Sequence, residues 1–187
     1  MKLSIHTCAV CLFVCLFASA AVPAAAQTPP PMPETDLTLG YQSLHIPGQN
    51  YPFGVGVGVS RAITDMVRIV GEAGVSIDQQ SASNLNGTLT FYQYGIGPRI
   101  NARHGRVVPY AQLLLGGVHS RADLTTSAGA PFSASSNGFM LQPGAGVIIP
   151  LTRTFAVTGG VNYRRVFFNG DTDNETSVFA GVRIAFR

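Results

Sequence analysis

From residue 36 to the C-terminus one pattern recurs: apolar side chains alternate with small, polar or charged ones, and turn residues interrupt the runs. The last run is the clearest. Val178, Ala180, Val182, Ile184 and Phe186 alternate with Ser177, Phe179, Gly181, Arg183 and Ala185. Successive side chains of a strand point to opposite faces, so this spacing predicts a strand with one wholly apolar face. Residues 53–60 repeat it, with Phe53, Val55, Val57 and Val59 set against Gly54, Gly56, Gly58 and Ser60. Residues 67–77, 88–101 and 154–165 follow the same rule. Residues 36–44, 108–119 and 136–149 are less regular. The run Leu113-Leu114-Leu115 hides the phase of its strand, for which Ala111, Leu113 and Leu115 are taken as outward, and Pro143 falls inside 136–149. No stretch after Glu34 has helical periodicity, so eight strands are predicted.

The connections carry a second signal. Those at 63–65, 103–106 and 150–153 are short, whereas those at 45–52, 78–87, 122–135 and 166–174 are longer and polar. Outer-membrane barrels have short periplasmic turns and longer external loops, and an even strand count leaves both termini in the periplasm. The alternation of lengths falls on that parity.

The identity of the non-apolar face decides between a soluble and a membrane barrel. A soluble up-and-down barrel keeps its apolar residues inside. Here the other face carries Arg68, Glu72, Gln93, Arg99, Asn101, Gln142, Asn162, Arg164 and Arg183 among many of the chain's 21 glycines. An eight-stranded interior is just wide enough to be filled by side chains, so small residues leave room there for long arginines. On a solvated face the same glycines would weaken the strands to no purpose. In hydrocarbon every backbone polar group must be satisfied, which requires the sheet to close. The prediction is an all-β chain: a closed antiparallel up-and-down eight-stranded transmembrane β-barrel over residues 36–187. Tyr41, Tyr51, Phe53, Tyr92, Tyr110, Phe139, Phe155, Tyr163 and Phe186 lie mostly near strand ends, where interfacial aromatic girdles form.

The first 26 residues read differently. Lys2 precedes an apolar run from Cys8 to Val22, and Ala24-Ala25-Ala26 supplies a small-residue exit. This is the pattern of a secretory signal, too short to span a bilayer comfortably. Residues 27–35 include the Pro-rich QTPPPMP and are expected to form an extended periplasmic linker. Cys8, Cys11 and Cys15 all lie in the signal, and no lysine follows Lys2. The remaining basic residues are dispersed arginines, which leaves no footprint for nucleic acid.

The chain resembles the small outer-membrane β-barrel superfamily, the OmpA- and OmpX-like eight-stranded barrels. The resemblance rests on Val108-Pro109-Tyr110-Ala111-Gln112 with Gly116-Gly117, on Gly144-Ala145-Gly146-Val147, and on the closing Phe179-Ala180-Gly181-Val182-Arg183-Ile184-Ala185-Phe186. It implies an outer-membrane location and a monomer amid outer-membrane lipid and lipopolysaccharide. It also implies handling by periplasmic chaperones and the barrel-assembly machinery, with Phe179, Val182, Ile184 and Phe186 in the terminal strand as the assembly signal.

Little in the sequence points to chemistry. His6, His45, His104 and His119 are dispersed, no metal-ligand spacing occurs, and no cofactor is expected. His119-Ser120 invites comparison with barrel lipid A deacylases but lacks an orienting carboxylate, so a lipid-modifying enzyme is the most distant reading. The acidic stretch 169–175 does not match a calcium loop and is expected to be a solvated hairpin tip. The interior charges say more. Arg68, Arg99, Arg164 and Arg183 outnumber Glu72, and a buried charge is costly unless paired. The lumen network predicted from Arg68, Glu72, Gln93, Arg99, Gln142, Asn162, Arg164 and Arg183 has Glu72 pairing with at least one arginine and closing the barrel. The predicted role is structural or surface-interacting and not catalytic. The alternative is a narrow anion-favouring pore lined by unpaired arginines.

Overall fold

The computed structural model describes residues 33–187 except 47, 83–84, 103–105, 127–130, 169 and 187. Residues 1–32, which hold the expected export signal and most of the expected Pro-rich linker, lie outside the described residues. Eight strands follow in order: β1 (Thr35–Ile46), β2 (Gln49–Ala62), β3 (Val67–Ala82), β4 (Leu85–Asn101), β5 (Val108–Thr126), β6 (Pro131–Pro150), β7 (Phe155–Phe167) and β8 (Thr172–Phe186). Each pairs antiparallel with its neighbours in sequence, and β1 pairs β8 from Thr35↔Phe186 to His45↔Thr176, closing the barrel.

The alternation sets the orientation of the wall. Val55, Val57 and Val59 are exposed on the outside, while Gly54, Gly56 and Gly58 face inward. Leu113 and Leu115 lie outside, with Gln112 and Leu114 buried on the opposite face. The two mid-strand prolines are accommodated by gaps in one ladder each. The β4–β5 pairing skips from Ile96↔Leu115 to Arg99↔Gln112 around Pro98. The β6–β7 pairing skips from Leu141↔Arg165 to Gly144↔Asn162 around Pro143. A proline has no N–H to give to a ladder, so it interrupts pairing on one side only.

Two expectations are corrected. The long polar connections at 45–52, 78–87, 122–135 and 166–174 are in large part paired strand, continuing for example as Asp78↔Leu89 and Asp123↔Ser133. Beyond the membrane both faces of a hairpin meet water, so backbone pairing persists where the apolar alternation stops. The asymmetry between the two ends remains, as protruding hairpins rather than loops. Tyr51 and Tyr110, expected in the outer girdle, are instead 6% and 8% exposed and point into the lumen. For Tyr51 the cause is local. The register shifts between Gln42↔Gly54 and Leu44↔Tyr51, which inserts an extra residue in β2 at Pro52–Phe53 and flips the phase. Tyr110 simply follows the inward phase of Gln112 and Leu114.

Candidate functional site: the filled lumen

The inward side chains form stacked groups along the barrel axis. At the end that holds the termini, Asp36 of β1 sits between two guanidiniums. Its Oδ2 accepts from Ser60 Oγ at 2.8 Å and Arg68 Nη2 at 2.8 Å, and Arg183 donates from both Nε and Nη2. Arg68 also donates to the carbonyls of Pro33 at 2.8 Å and Glu34 at 3.2 Å. Asp36, Ser60, Arg68 and Arg183 are all buried.

In the middle, Arg99 of β4 donates to Glu72 at 2.8 Å and to Gln112 at 2.6 and 2.9 Å. Gln112 in turn donates to Glu72 and to Asn162, each within 3.3 Å. The Arg99 guanidinium lies 4.5 Å from the centre of the Tyr110 ring, a cation–π contact. Beside this network is a separate one: Gln93 donates to Gln42 at 2.8 Å, and Gln42 donates to Ser76 at 3.0 Å. The glycines make this filling possible. A Cβ on Gly146 would lie 2.3 Å from the Gly159 carbonyl and 2.6 Å from the Tyr110 hydroxyl. A small cavity of about 30 Å³ remains beside Gln42, Glu72 and Gln93, room for more than one water molecule.

Nearer the hairpin end, Arg164 of β7 donates to Glu175 at 2.9 Å and to Gln142 at 2.8 Å. Above it the lumen becomes apolar. Leu44, Tyr51, Phe91, Val118, Met140 and Val166 form one buried cluster, against which Ile46, Leu89 and Phe168 pack. The Phe91 ring lies between the two zones, 5.7 Å from the Arg164 guanidinium and 6.2 Å from the Tyr51 ring.

The eight predicted lumen residues thus fall into separate groups: Arg68 with Arg183, Glu72 with Arg99 and Asn162, Gln142 with Arg164, and Gln93 with Gln42. Sequence reading missed their connectors Asp36, Gln42, Ser60, Gln112 and Glu175. Phase was the available signal, since Asp36 lies opposite Leu37 and Leu39, and Glu175 shares the parity of Ser177 and Arg183. Glu175, expected at a solvated tip, is 1% exposed because β8 starts at Thr172 and carries its alternation that far out. Among the described residues, each of the four lumen arginines lies within 4 Å of a carboxylate. Exchanging Glu72 for Gln leaves Arg99 facing a neutral amide. We expect a loss of about 1–3 kcal/mol and a lower melting temperature; an unchanged melting temperature would show that the pair does not stabilise the barrel.

His119 and Ser120 lie side by side on β5. As neighbours on one strand they point to opposite faces. His119 Nδ1 lies 2.8 Å from Asn137 Oδ1, an amide where an orienting carboxylate would be needed. Of the terminal-strand residues, Val182, Ile184 and Phe186 share the outward face. Phe179 points inward, within 3.6 Å of where a Cβ on Gly40 or Gly56 would stand.

A closed sheet with an apolar outer wall and an ion-paired interior defines a transmembrane β-barrel of outer-membrane type. The chain belongs to the outer membrane protein beta-barrel domain family, whose model matches residues 12–186, and it is an outer-membrane protein. Solved structures with the same fold include Ail, the attachment invasion locus protein of Yersinia pestis. Ail is 17% identical with a TM-score of 0.56, over 80% of this chain and 96% of that one. Neisserial surface protein A is 16% identical with a TM-score of 0.60, over 81% and 96%. A major outer membrane protein of Thermus thermophilus is 10% identical with a TM-score of 0.62, over 80% and 99%. At these identities the likeness shows the fold alone. No curated protein sequence matches the chain.

Proposed function

We propose that this protein is a closed, non-conducting and non-catalytic outer-membrane barrel, acting through its wall and its protruding hairpins. The observation that carries the reading is the filling of the lumen: ion-paired arginines below, an apolar cluster above. An anion-favouring pore needs guanidiniums facing water along a continuous passage. Here the guanidiniums face carboxylates, and the hairpin end is closed by Leu44, Phe91, Met140 and their neighbours. The short turns and both termini are assigned to the periplasm and the long hairpins to the outside, following the general asymmetry of such barrels. The first 26 residues serve as the export signal. Chaperones and the barrel-assembly machinery handle the chain before it stands as a monomer among lipid and lipopolysaccharide.

Planar-bilayer recording from the purified protein tests the reading. The expected record is a flat baseline at all voltages. A steady anion-selective current would overturn the closed-lumen reading and favour the pore.

A further inference from the structure

The lumen does not balance in charge. Among the described residues four buried arginines face three carboxylates: Arg99 has Glu72, Arg164 has Glu175, and Arg68 and Arg183 share Asp36. The surplus cation therefore belongs to the Asp36 cluster, where Arg68 is 1% and Arg183 6% exposed. A buried charge is costly unless paired. In the Arg183 guanidinium, Nε and Nη2 donate to Asp36 and Ser60, while Nη1 has no acceptor among the described residues. The surplus charge thus sits on a group with donors to spare.

Beside it the barrel mouth is hollow. A cavity of about 50 Å³ lies between the Asp36 cluster and the β6–β7 turn, with Arg68 and Arg183 in its wall. At about 10–15 Å³ per water-sized sphere, it has room for a group of about three or four non-hydrogen atoms. The rest of the wall comes mainly from Val108, Ile148, Pro150, Ala156 and Ala185, whose side chains have no donor to offer. At the rim stand Thr152 and Arg153, and Arg153 has no ion-pair partner among the described residues. Thr152 Oγ1 accepts from the N–H groups of Thr154 and Phe155 at 3.2 and 2.9 Å, so its own proton is free to be donated.

We propose that this mouth binds a carboxylate carried on a small apolar body, the carboxylate on Arg183 Nη1 and the body against Val108, Ile148 and Ala156. One negative charge matches the single surplus cation. A planar carboxylate suits the flat fork of a guanidinium and accepts from its remaining donors. A phosphate would bring further charge and oxygen atoms against apolar walls that cannot bond them. A halide would leave those walls without a partner. A free short-chain acid carries such a carboxylate, and so does the C-terminal residue of a peptide. The proposal goes beyond the closed-barrel reading and rests on it only for the periplasmic side on which this mouth opens.

The test uses the full mature chain, isotope-labelled at its alanine methyls, in phospholipid nanodiscs. Ala156 and Ala185 report from the cavity wall by nuclear magnetic resonance. The probes are propionate and N-acetyl-alanyl-alanine, each beside its neutral amide, with inorganic phosphate as the contrasting anion. Saturable shifts of both methyls are expected with at least one acid, at a Kd of about 1–10 mM, and none with the amides. Arg183→Met weakens binding by more than about tenfold, since it removes the buried donor. Arg153→Ser at the exposed rim weakens it by about two- to fivefold. Ala156→Met fills the cavity, leaves every charge in place and abolishes binding, read at Ala185. Tighter binding of the peptide assigns the site to a chain terminus, and tighter binding of propionate to a free acid. Shifts with the amides, phosphate bound as tightly as the acids, or undiminished binding in Arg183→Met or Ala156→Met overturns the proposal. So does the absence of any shift at about 50 mM of either acid. Because binding is read on purified protein, its failure leaves the silent bilayer record standing, and a conducting barrel that binds the acid overturns only the closed lumen.

Discussion

Exchanging Asp36 for Asn lowers the stability of the barrel by about 3–5 kcal/mol, the scale of removing one partner from a buried ion pair. The carboxylate is shared by Arg68 and Arg183, so its neutralisation leaves two buried guanidiniums facing each other across Ser60. Removing one of the cations is less costly. In Arg183→Met, Asp36 keeps Arg68 as a one-to-one partner, and the loss should be at most about half as large. Urea unfolding in phospholipid vesicles, followed by far-UV circular dichroism since the chain lacks tryptophan, measures both. Equal losses in the two variants would show that Asp36 does not serve both arginines.

The second large effect lies under the apolar cap. Glu175→Gln strands Arg164, whose side chain is fully buried, and should cost about 3–5 kcal/mol. The combined exchange Arg164→Met with Glu175→Leu should recover most of that loss. Replacing a buried pair with apolar groups of similar volume is often neutral or better, and Phe91, Met140 and Val166 already supply the surroundings. The same urea titration reads it. A double variant as unstable as Glu175→Gln would mean that the pair is not replaceable by packing.

These two carboxylates also mark the limit of sequence reading. The strands that cross the membrane were legible because lipid outside and a packed polar lumen inside impose opposite demands on alternate residues. The inward arginines were legible for the same reason. Asp36 and Glu175 lay on the right parity but at strand ends, where polar residues are also expected in turns, so nothing in the local pattern distinguished a buried carboxylate from a solvated one. Above the membrane the alternation fades while the pairing continues. That is why residues 122–126 and 131–135 read as loop although they are paired strand. The inward turn of Tyr51 depends on a register shift against β1, which no pattern within β2 reveals. The gaps around Pro98 and Pro143 show the converse: a residue that argues against a strand is tolerated when only one ladder needs its N–H.

The Asp36 cluster has a consequence for the order of events in folding. Its contacts to Ser60 and Arg68 span 24 and 32 residues, within the first three strands, whereas that to Arg183 spans 147. Two of the three contacts can form before the last strand arrives, at small loop-closure cost; the third requires the two ends of the sheet to meet. Asp36 and Arg68 alone balance in charge, and Arg183 is the cation that β8 contributes across the seam. The cluster thus works as a latch on the β1–β8 seam, to which the first three strands bring Asp36, Ser60 and Arg68 and the last strand brings Arg183.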